Sequence, residues 1–162
     1  MNINEFNRSV DMFSDNIYRF ILKHIRDEDK AKDIVQESFI KLWDKVKEVS
    51  FEKVRSYLFS TAYHTMIDAI RKDKRISYLD DVSQEDMYYN EGGYNNAKEI
   101  LNEAIKKLPD DQRAVLLLRD YEGYSYEEIG GITGLTEAQV KVYIYRARVF
   151  LKKYIVRMDL VI

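Results

Sequence analysis

Two helix-start signals lie close together near the C-terminal end of the chain. Ser125 is followed three residues later by Glu128, and Thr136 by Gln139. Each pair has the spacing of a capping box, in which two side chains satisfy the free backbone N–H groups at a helix start. Only a short helix fits between the first start and Gly134, whereas the second can continue to about residue 154. A short helix, a glycine-containing turn and a longer helix predict a helix-turn-helix.

The second helix of this motif is the one expected to enter the major groove of duplex DNA. Between residues 137 and 157 it carries six basic residues and one acidic residue. Lys and Arg would mainly meet phosphates, and Gln139 is best equipped to read a base edge, with adenine as its usual partner. The alternative is an ordinary surface helix with a solvated basic face. The candidate DNA contacts are Glu137, Ala138, Gln139, Lys141, Val142, Tyr143 and Arg146.

A second basic cluster, RKDKR at 71–75, ends a predicted helix that carries aromatic residues. Aromatic faces beside cations are suited to capturing unstacked bases of single-stranded DNA. The alternative is that these cations only complement the dipole of the helix C-terminus, with the aromatic residues in the core. The residues concerned are Phe51, Tyr57, Tyr63 and His64, with Arg71, Lys72, Lys74 and Arg75.

The elements that position these residues are predicted to be helices throughout. Apolar residues recur at steps of three and four from Ile3 to Ile21 and from Ala31 to Val46, which predicts two amphipathic helices joined by a tight turn as an antiparallel hairpin. A third helix is predicted from about 51 to 75. Pro109 ends a further helix, and Asp110 is placed to cap the next one. No strand alternation occurs, so the predicted fold class is all-α.

Residues 77–96 separate the two helical regions. This segment has five acidic residues, no Lys or Arg and a glycine pair, while the regions on either side have small positive net charges. It is predicted to be a flexible acidic linker between two small helical domains, residues 1–76 and 97–162.

Composition excludes several classes of function. The chain has no cysteine, so disulfide frameworks and thiolate metal sites are excluded, and its two histidines accompany no catalytic or phosphate-binding motif. We therefore expect no enzymatic activity, cofactor or metal, and we expect His24 to face solvent at a helix end. The first residues, MNINEF, lack the basic and apolar regions of a signal peptide, and no apolar run approaches about 20 residues. The expectation is a soluble, cytoplasmic protein without membrane insertion.

Three stretches of this sequence resemble one family: DIVQESFIKLWDKV at 33–46, YLFSTAYHTMIDAIRKDKR at 57–75, and LPDDQRAVLLLRDYEGYSYEEIGGITGLTEAQVKVYIYRARVFLKK at 108–153. Their order, spacing and content are similar to RNA polymerase sigma factors of the sigma-70 family, extracytoplasmic-function (ECF) type. The resemblance covers nearly the whole chain. It implies a region 2 domain at 1–76, a linker in place of region 3, and a region 4 helix-turn-helix domain at 97–162.

The resemblance implies core RNA polymerase and promoter DNA as partners, with an anti-sigma factor as regulator. The residues implied in core binding are Asp33, Gln36, Glu37, Phe39, Leu42 and Trp43, of which Phe39 and Leu42 are equally well explained as hairpin core. The helix over 57–75 corresponds to the one that recognises and melts the minus 10 element. Lys141, Arg146 and Arg148 match positions used on the minus 35 element.

Two departures from the family pattern concern specificity. Where relatives commonly have Ala-Arg-Asn, this chain has Ala62, Tyr63 and His64, which leaves its minus 10 preference open. In the recognition helix, Val142 and Tyr143 could contact thymine methyl groups and sugar, which suggests an A and T rich minus 35 sequence. The rival hypothesis is a stand-alone helix-turn-helix regulator that binds duplex DNA without polymerase.

Overall fold

The computed structural model describes residues 1–80 and 97–161, with side chains over 1–76 and 97–158. Within these ranges the chain is helical and contains no strand, which confirms the predicted all-α class. The helices are α1 (Ile3–Ile25), α2 (Glu28–Asp44), α3 (Val54–Asp80), α4 (Ala97–Lys106), α5 (Asp110–Asp120), α6 (Tyr126–Thr133) and α7 (Glu137–Val161). A 3-10 turn, Phe51–Lys53, leads into α3.

Helices α1 and α2 form the predicted hairpin through a two-residue connection. Arg26 takes the left-handed conformation, with φ of 59°, and reverses the chain. Asp27 then caps α2, its carboxylate accepting the N–H groups of Asp29 and Lys30 at 3.1 Å each. Helix α3 packs against both helices, and the bundle closes over a core in which Ile17, Ile21, Leu42, Leu58, Phe59 and Met66 are fully buried.

Helix α3 differs from its prediction at both ends. It begins at Val54, after the 3-10 turn, and continues to Asp80, beyond the predicted end near Arg75. Its last turn therefore includes the start of the segment predicted as linker. Residues 81–96 of that segment lie outside the described residues.

The second module is built around α5. Its residues from Ala114 to Leu118 are all buried, because α6 and α7 of the same module and α1 of the first module pack against it. The predicted cap at Asp110 is corrected by the structure: Pro109 holds the N-cap position and Asp110 is the first residue of α5. The Asp110 carboxylate instead accepts a hydrogen bond from Arg113 at 3.0 Å.

Arg113 ties α5 to the end of α4. Its guanidinium donates to the carbonyls of Ile105, Lys106 and Leu108 at 2.9, 2.7 and 2.6 Å. These carbonyls lie at and just beyond the end of α4, where the carbonyl groups of a helix have no partner in the next turn. Arg113 is only 6% exposed, so the connection between α4 and α5 is held from inside the module.

The two modules pack directly on each other in the described structure. Helix α3 lies against α6, and α1 contacts α4 and α5. Aromatic rings connect the two cores, with Phe59 centred 5.4 Å from Phe20 and 5.8 Å from Tyr124. Beside them Arg55 pairs with Glu122 at 3.0 Å. The hydrophobic core is therefore continuous from one module to the other.

Candidate nucleic-acid interface

The helix-turn-helix is formed by α6 and α7. Ser125 and Glu128 make the predicted capping box, with both side chain to backbone hydrogen bonds present at 3.1 and 3.0 Å. Gly134 ends α6 with φ of 81°, a conformation that glycine adopts without a steric penalty. A Cβ on Gly130 would come 3.0 Å from the backbone oxygen of Leu135, so the tight turn also needs a small residue there.

Helix α7 presents one side to the core and the other to solvent. Val140, Ile144 and Ala147 are buried, whereas Val142 is 43% and Tyr145 69% exposed. The predicted contact residues that are exposed are Glu137, Ala138, Gln139, Lys141, Val142, Arg146 and Arg148. Tyr143 differs from the prediction, because it is half-buried and packs against the core. Tyr145, which sequence reasoning missed, is the exposed aromatic residue of this part of α7.

Gln139 is already engaged within its own helix start. Its side-chain oxygen Oε1 accepts the N–H of Thr136 at 2.9 Å and the hydroxyl of Thr136 at 3.2 Å. The N–H of Gln139 in turn donates to Thr136 Oγ1 at 3.1 Å, which confirms the second predicted capping box. Reading adenine would require both the oxygen and the amide nitrogen of this side chain. Gln139 would therefore have to give up part of its cap to make that contact.

A cationic cluster at the start of α6 was not predicted from the sequence. The ring centre of Tyr126 lies 4.7 Å from the Arg119 guanidinium carbon and 5.7 Å from Lys141 Nζ. Arg148 donates to Asp120 at 2.6 Å, and this hydrogen bond raises the pKa of Arg148. The cluster joins residues from α5, α6 and α7, so no single-helix spacing pattern could have shown it.

The predicted single-strand site on α3 is only partly open. His64 and the cations Arg71, Lys72, Lys74 and Arg75 are exposed, and Phe51 and Tyr57 are half-buried. Tyr63 is 7% exposed, and its burial raises the pKa of the hydroxyl. In this arrangement Tyr63 is a core residue and offers no face to a base.

Helix α6 covers the neighbouring face of α3. The hydroxyl of Ser60 donates to the carbonyl of Ile132 at 2.9 Å. A Cβ on Gly134 would lie 3.9 Å from the His64 ring. Beside this contact a groove of about 670 Å³ remains, and Tyr57 and Gly131 line it from opposite modules. The helix-turn-helix thus sits on part of the surface predicted to capture unstacked bases.

The hairpin of α1 and α2 carries an open apolar groove of about 730 Å³. Trp43 is 47% exposed, with its ring centre 5.1 Å from that of Phe6. Ile40, which sequence reasoning missed, is 60% exposed. The groove is lined by Phe6, Val10, Ser14, Asp15, Tyr18, Lys32, Val35, Gln36, Phe39, Ile40 and Trp43.

The residues implied in core binding divide into three groups by burial. Asp33, Gln36 and Glu37 are exposed, and Phe39 is half-buried beside Phe6. Leu42 is fully buried in the bundle core. Leu42 therefore packs the hairpin core, which is the alternative to a direct contact with core polymerase.

His24 is buried rather than facing solvent as predicted. Its Nδ1–H donates to the carbonyl of Phe20 at 2.8 Å, and Nε2 has no hydrogen-bond partner. Burial, together with the nearby Arg113 charge, lowers the pKa of His24 to about 4. In the described ranges no group of three or more His, Cys, Asp or Glu is placed to hold a metal ion. Nor is any helix there long and apolar enough to cross a membrane.

Comparison with known proteins gives matches over both modules. The family model for Sigma-70 region 2 matches residues 10–76, and that for Sigma-70, region 4 matches residues 98–151. RNA polymerase sigma factor SigV of Bacillus subtilis (strain 168) is 33% identical over 147 residues, covering 90% of this chain and 87% of its own length. ECF RNA polymerase sigma factor SigM of the same organism is 30% identical, covering 87% and 89%.

A solved structure shares the fold. It is the sigma factor RpoE in complex with the anti-sigma factor NepR from Bartonella quintana, with a TM-score of 0.76 and 22% identity, covering 94% of this chain and 97% of that one. The family matches place region 2 on α1–α3 and region 4 on the helix-turn-helix module. With relatives at 30% identity and above over nearly their full length, this chain belongs to the sigma-70 family of RNA polymerase sigma factors, in the ECF group, whose members direct core polymerase to promoters.

Proposed function

We propose that the two modules divide the work of a sigma factor. Residues 1–76 bind core RNA polymerase and act on the minus 10 element, and residues 97–162 read the minus 35 element. The observation that carries this proposal is the apolar groove, whose described lining comes from α1 and α2 alone. One molecule can then hold a protein there while α7 lies on DNA. The chain itself contributes no catalysis, in keeping with its family.

The composition of the groove favours a protein partner. Two large apolar side chains, Ile40 and Trp43, are about half exposed, which is unusual unless another surface covers them. Asp33, Gln36 and Glu37 lie on the same helix and are exposed. An apolar centre with a polar rim is the common anatomy of protein interfaces. We assign this surface to the clamp helices of the largest polymerase subunit.

Replacing Trp43 with Ala tests this assignment. Because tryptophan side chains in such interfaces often dominate the binding energy, we expect Trp43→Ala to weaken core binding by about tenfold or more. The measurement is titration of labelled protein with purified bacterial core polymerase. Met12→Ala is the matched control, since Met12 is 51% exposed on α1 but lies outside the groove. Equal affinities for the two variants would contradict the assignment.

For the minus 35 element, the cluster around Tyr126 supports phosphate binding. In a helix-turn-helix the first helix crosses the DNA backbone while the second lies in the groove. Arg119 and Lys141 are held over the Tyr126 ring at the start of α6. We therefore add Arg119 to Lys141, Arg146 and Arg148 as a phosphate contact. Asp120 orients Arg148 through their 2.6 Å hydrogen bond.

For the minus 10 element, α3 would need to part from α6. The exposed His64, the half-buried Tyr57 and the cations after residue 70 supply the stacking and charge that single-stranded DNA binding uses. The contact between Ser60 and Ile132 lies in the middle of this surface. Promoter melting therefore requires a rearrangement of the two modules, which core polymerase on the first module and minus 35 DNA on the second would drive together.

Control by an anti-sigma factor is part of the same proposal. A related fold has been solved as a sigma factor held by an anti-sigma factor, and the open groove on α1 and α2 is a surface that such a partner could cover. The rival function, a stand-alone regulator, predicts tight binding to duplex DNA by the free chain. Gel shifts on promoter fragments with and without core polymerase separate the two. Binding that needs core supports the sigma factor, whereas equal binding without core supports the regulator.

A further inference from the structure

We infer that Ala138, Val142 and Tyr145 form an apolar stripe that reads thymine methyl groups in the minus 35 element. The inference rests on the proposed reading of that element by α7, and it assigns the sequence preference to a specific set of side chains. It also replaces Tyr143, the aromatic residue expected from the sequence to make such contacts, with Tyr145.

The stripe follows from helix geometry and exposure. Residues at spacings of four and three lie on one face of an α-helix, so Ala138, Val142 and Tyr145 are neighbours in a row. All three are exposed, with Val142 at 43% and Tyr145 at 69%. The buried residues Val140 and Ile144 lie on the opposite side of the helix. The stripe is therefore the part of α7 that projects furthest from the protein.

Cations border the stripe on both sides. At 3.6 residues per turn, Lys141 and Arg148 fall along one edge and Arg146 and Lys153 along the other. All four are exposed. A helix in the major groove meets a floor of base edges between two walls of phosphates. An apolar row with positive charge on each flank matches that arrangement, whereas a protein-docking patch has no need of cations on both edges.

The polar side chains near the start of α7 that could contact bases already form interactions within the protein. The side-chain oxygen of Gln139 caps Thr136 at 2.9 Å, and Lys141 pairs with Glu137 at 3.5 Å. In the major groove the thymine methyl is the one apolar group that a base pair presents. The stripe from Ala138 to Tyr145 is about 10 Å long, enough to face about three base pairs. Its chemistry therefore selects for T over C at those positions.

Substituting deoxyuridine for thymidine tests the inference, because it removes only the methyl group. The probe is a promoter that the holoenzyme transcribes, identified by run-off transcription on genomic fragments, with each minus 35 thymidine replaced in turn. Loss of one buried methyl contact should weaken holoenzyme binding about fourfold at a contacted position. At the positions that Val142 and Tyr145 contact, the double variant with Val142→Ala and Tyr145→Ala should bind the thymidine and deoxyuridine forms equally well.

A matched control lies on the same helix. Val156 is 52% exposed but lies about three turns beyond Tyr145, so Val156→Ala should keep the full difference between the two DNA forms. The inference is overturned if wild-type holoenzyme is insensitive to deoxyuridine, or if the double variant retains the difference. It is also overturned if the double variant loses affinity for core polymerase, since the stripe would then be a protein contact. If the proposed function is wrong, the run-off transcription step will yield no transcribed promoter, before any deoxyuridine is introduced.

Discussion

Helices α3 and α7 are both expected to contact promoter DNA, yet the structure treats them differently. The predicted contact residues of α7 are exposed apart from Tyr143, and none of the helices within residues 1–80 and 97–161 lies over its outer face. On α3, Tyr63 is buried and α6 packs across the face next to it. The surface proposed to read duplex DNA is thus open, and the surface proposed to hold single-stranded DNA is partly closed.

Side-chain chemistry explains the difference. On the covered face of α3, the hydroxyl of Ser60 donates a hydrogen bond to a backbone carbonyl of α6. Arg55 on the same face forms an ion pair with Glu122. Packing this face costs little in polar interactions because Ser60 and Arg55 both keep partners. The outer face of α7 carries Lys141, Arg146 and Arg148, which would lose hydration if another helix covered them. Covering this positively charged surface is therefore favourable only if the partner supplies negative charge.

Locking the modules together should give the largest effect. Arg55→Cys with Glu122→Cys places one thiol on α3 and one on the turn between α5 and α6, at two positions whose native side-chain tips meet at 3.0 Å, in a chain that has no cysteine of its own. Joining them with a short bifunctional thiol reagent should abolish open-complex formation, because α3 is then tied to the turn that leads into α6 and cannot part from that helix. Binding of the holoenzyme that contains the crosslinked protein to duplex minus 35 DNA should persist. Permanganate footprinting reports the open complex, and a gel shift reports duplex binding.

The control for this experiment is the same double variant without the reagent. It lacks the Arg55–Glu122 ion pair and should open at least as readily as the wild type. Melting by the crosslinked protein at the wild-type rate would show that the packing of α3 on α6 is compatible with initiation. The covering of α3 by α6 would then have no effect on promoter opening.

Acid should weaken the junction between the modules. His24 lies at the end of α1, near Arg113 and Asp110 at the start of α5, and its pKa of about 4 is below the usual value of 6.5. The unfolded chain takes up this proton first as the pH falls. The free energy of unfolding should therefore lose about 3 kcal/mol from this group between pH 6.5 and 4, and nothing from it above that range.

Urea unfolding of His24→Gln and the wild type at pH 7 and pH 4.5 measures this contribution. The variant should show a shallower loss of stability with acid. His64→Gln is the matched control, because it makes the same substitution at the exposed histidine of α3. If the free energy of unfolding falls equally with pH in His24→Gln and in the wild type, His24 is not the source of the acid sensitivity.

The smallest effect is expected from a single phosphate contact on α7. Lys141→Gln should lower the slope of log affinity against log salt by about 0.9 on duplex minus 35 DNA, since one fewer counterion is released. Lys72→Gln, on the end of α3, should leave that slope unchanged. The measurement is holoenzyme binding to a minus 35 duplex at several salt concentrations. A change with Lys72→Gln as large as that with Lys141→Gln would show that the two helices do not act on separate parts of the promoter.

Local signals in the sequence determined much of this protein. The two capping boxes and Gly134 defined the helix-turn-helix, and apolar periodicity defined the α1–α2 hairpin. Family resemblance supplied the region assignments. These features were predictable because a cap, a turn or an amphipathic face depends on residues within one or two turns of each other.

Only the tertiary structure decided which faces are covered and by what. His24 is buried near α5, Tyr63 is part of the core, Tyr145 rather than Tyr143 faces solvent, and Arg119 joins Lys141 over Tyr126. Each outcome depends on a helix that is distant along the chain. Periodicity shows that a helix has an apolar side, but the direction of that side relative to other helices depends on packing between modules, and no spacing within a single helix encodes it.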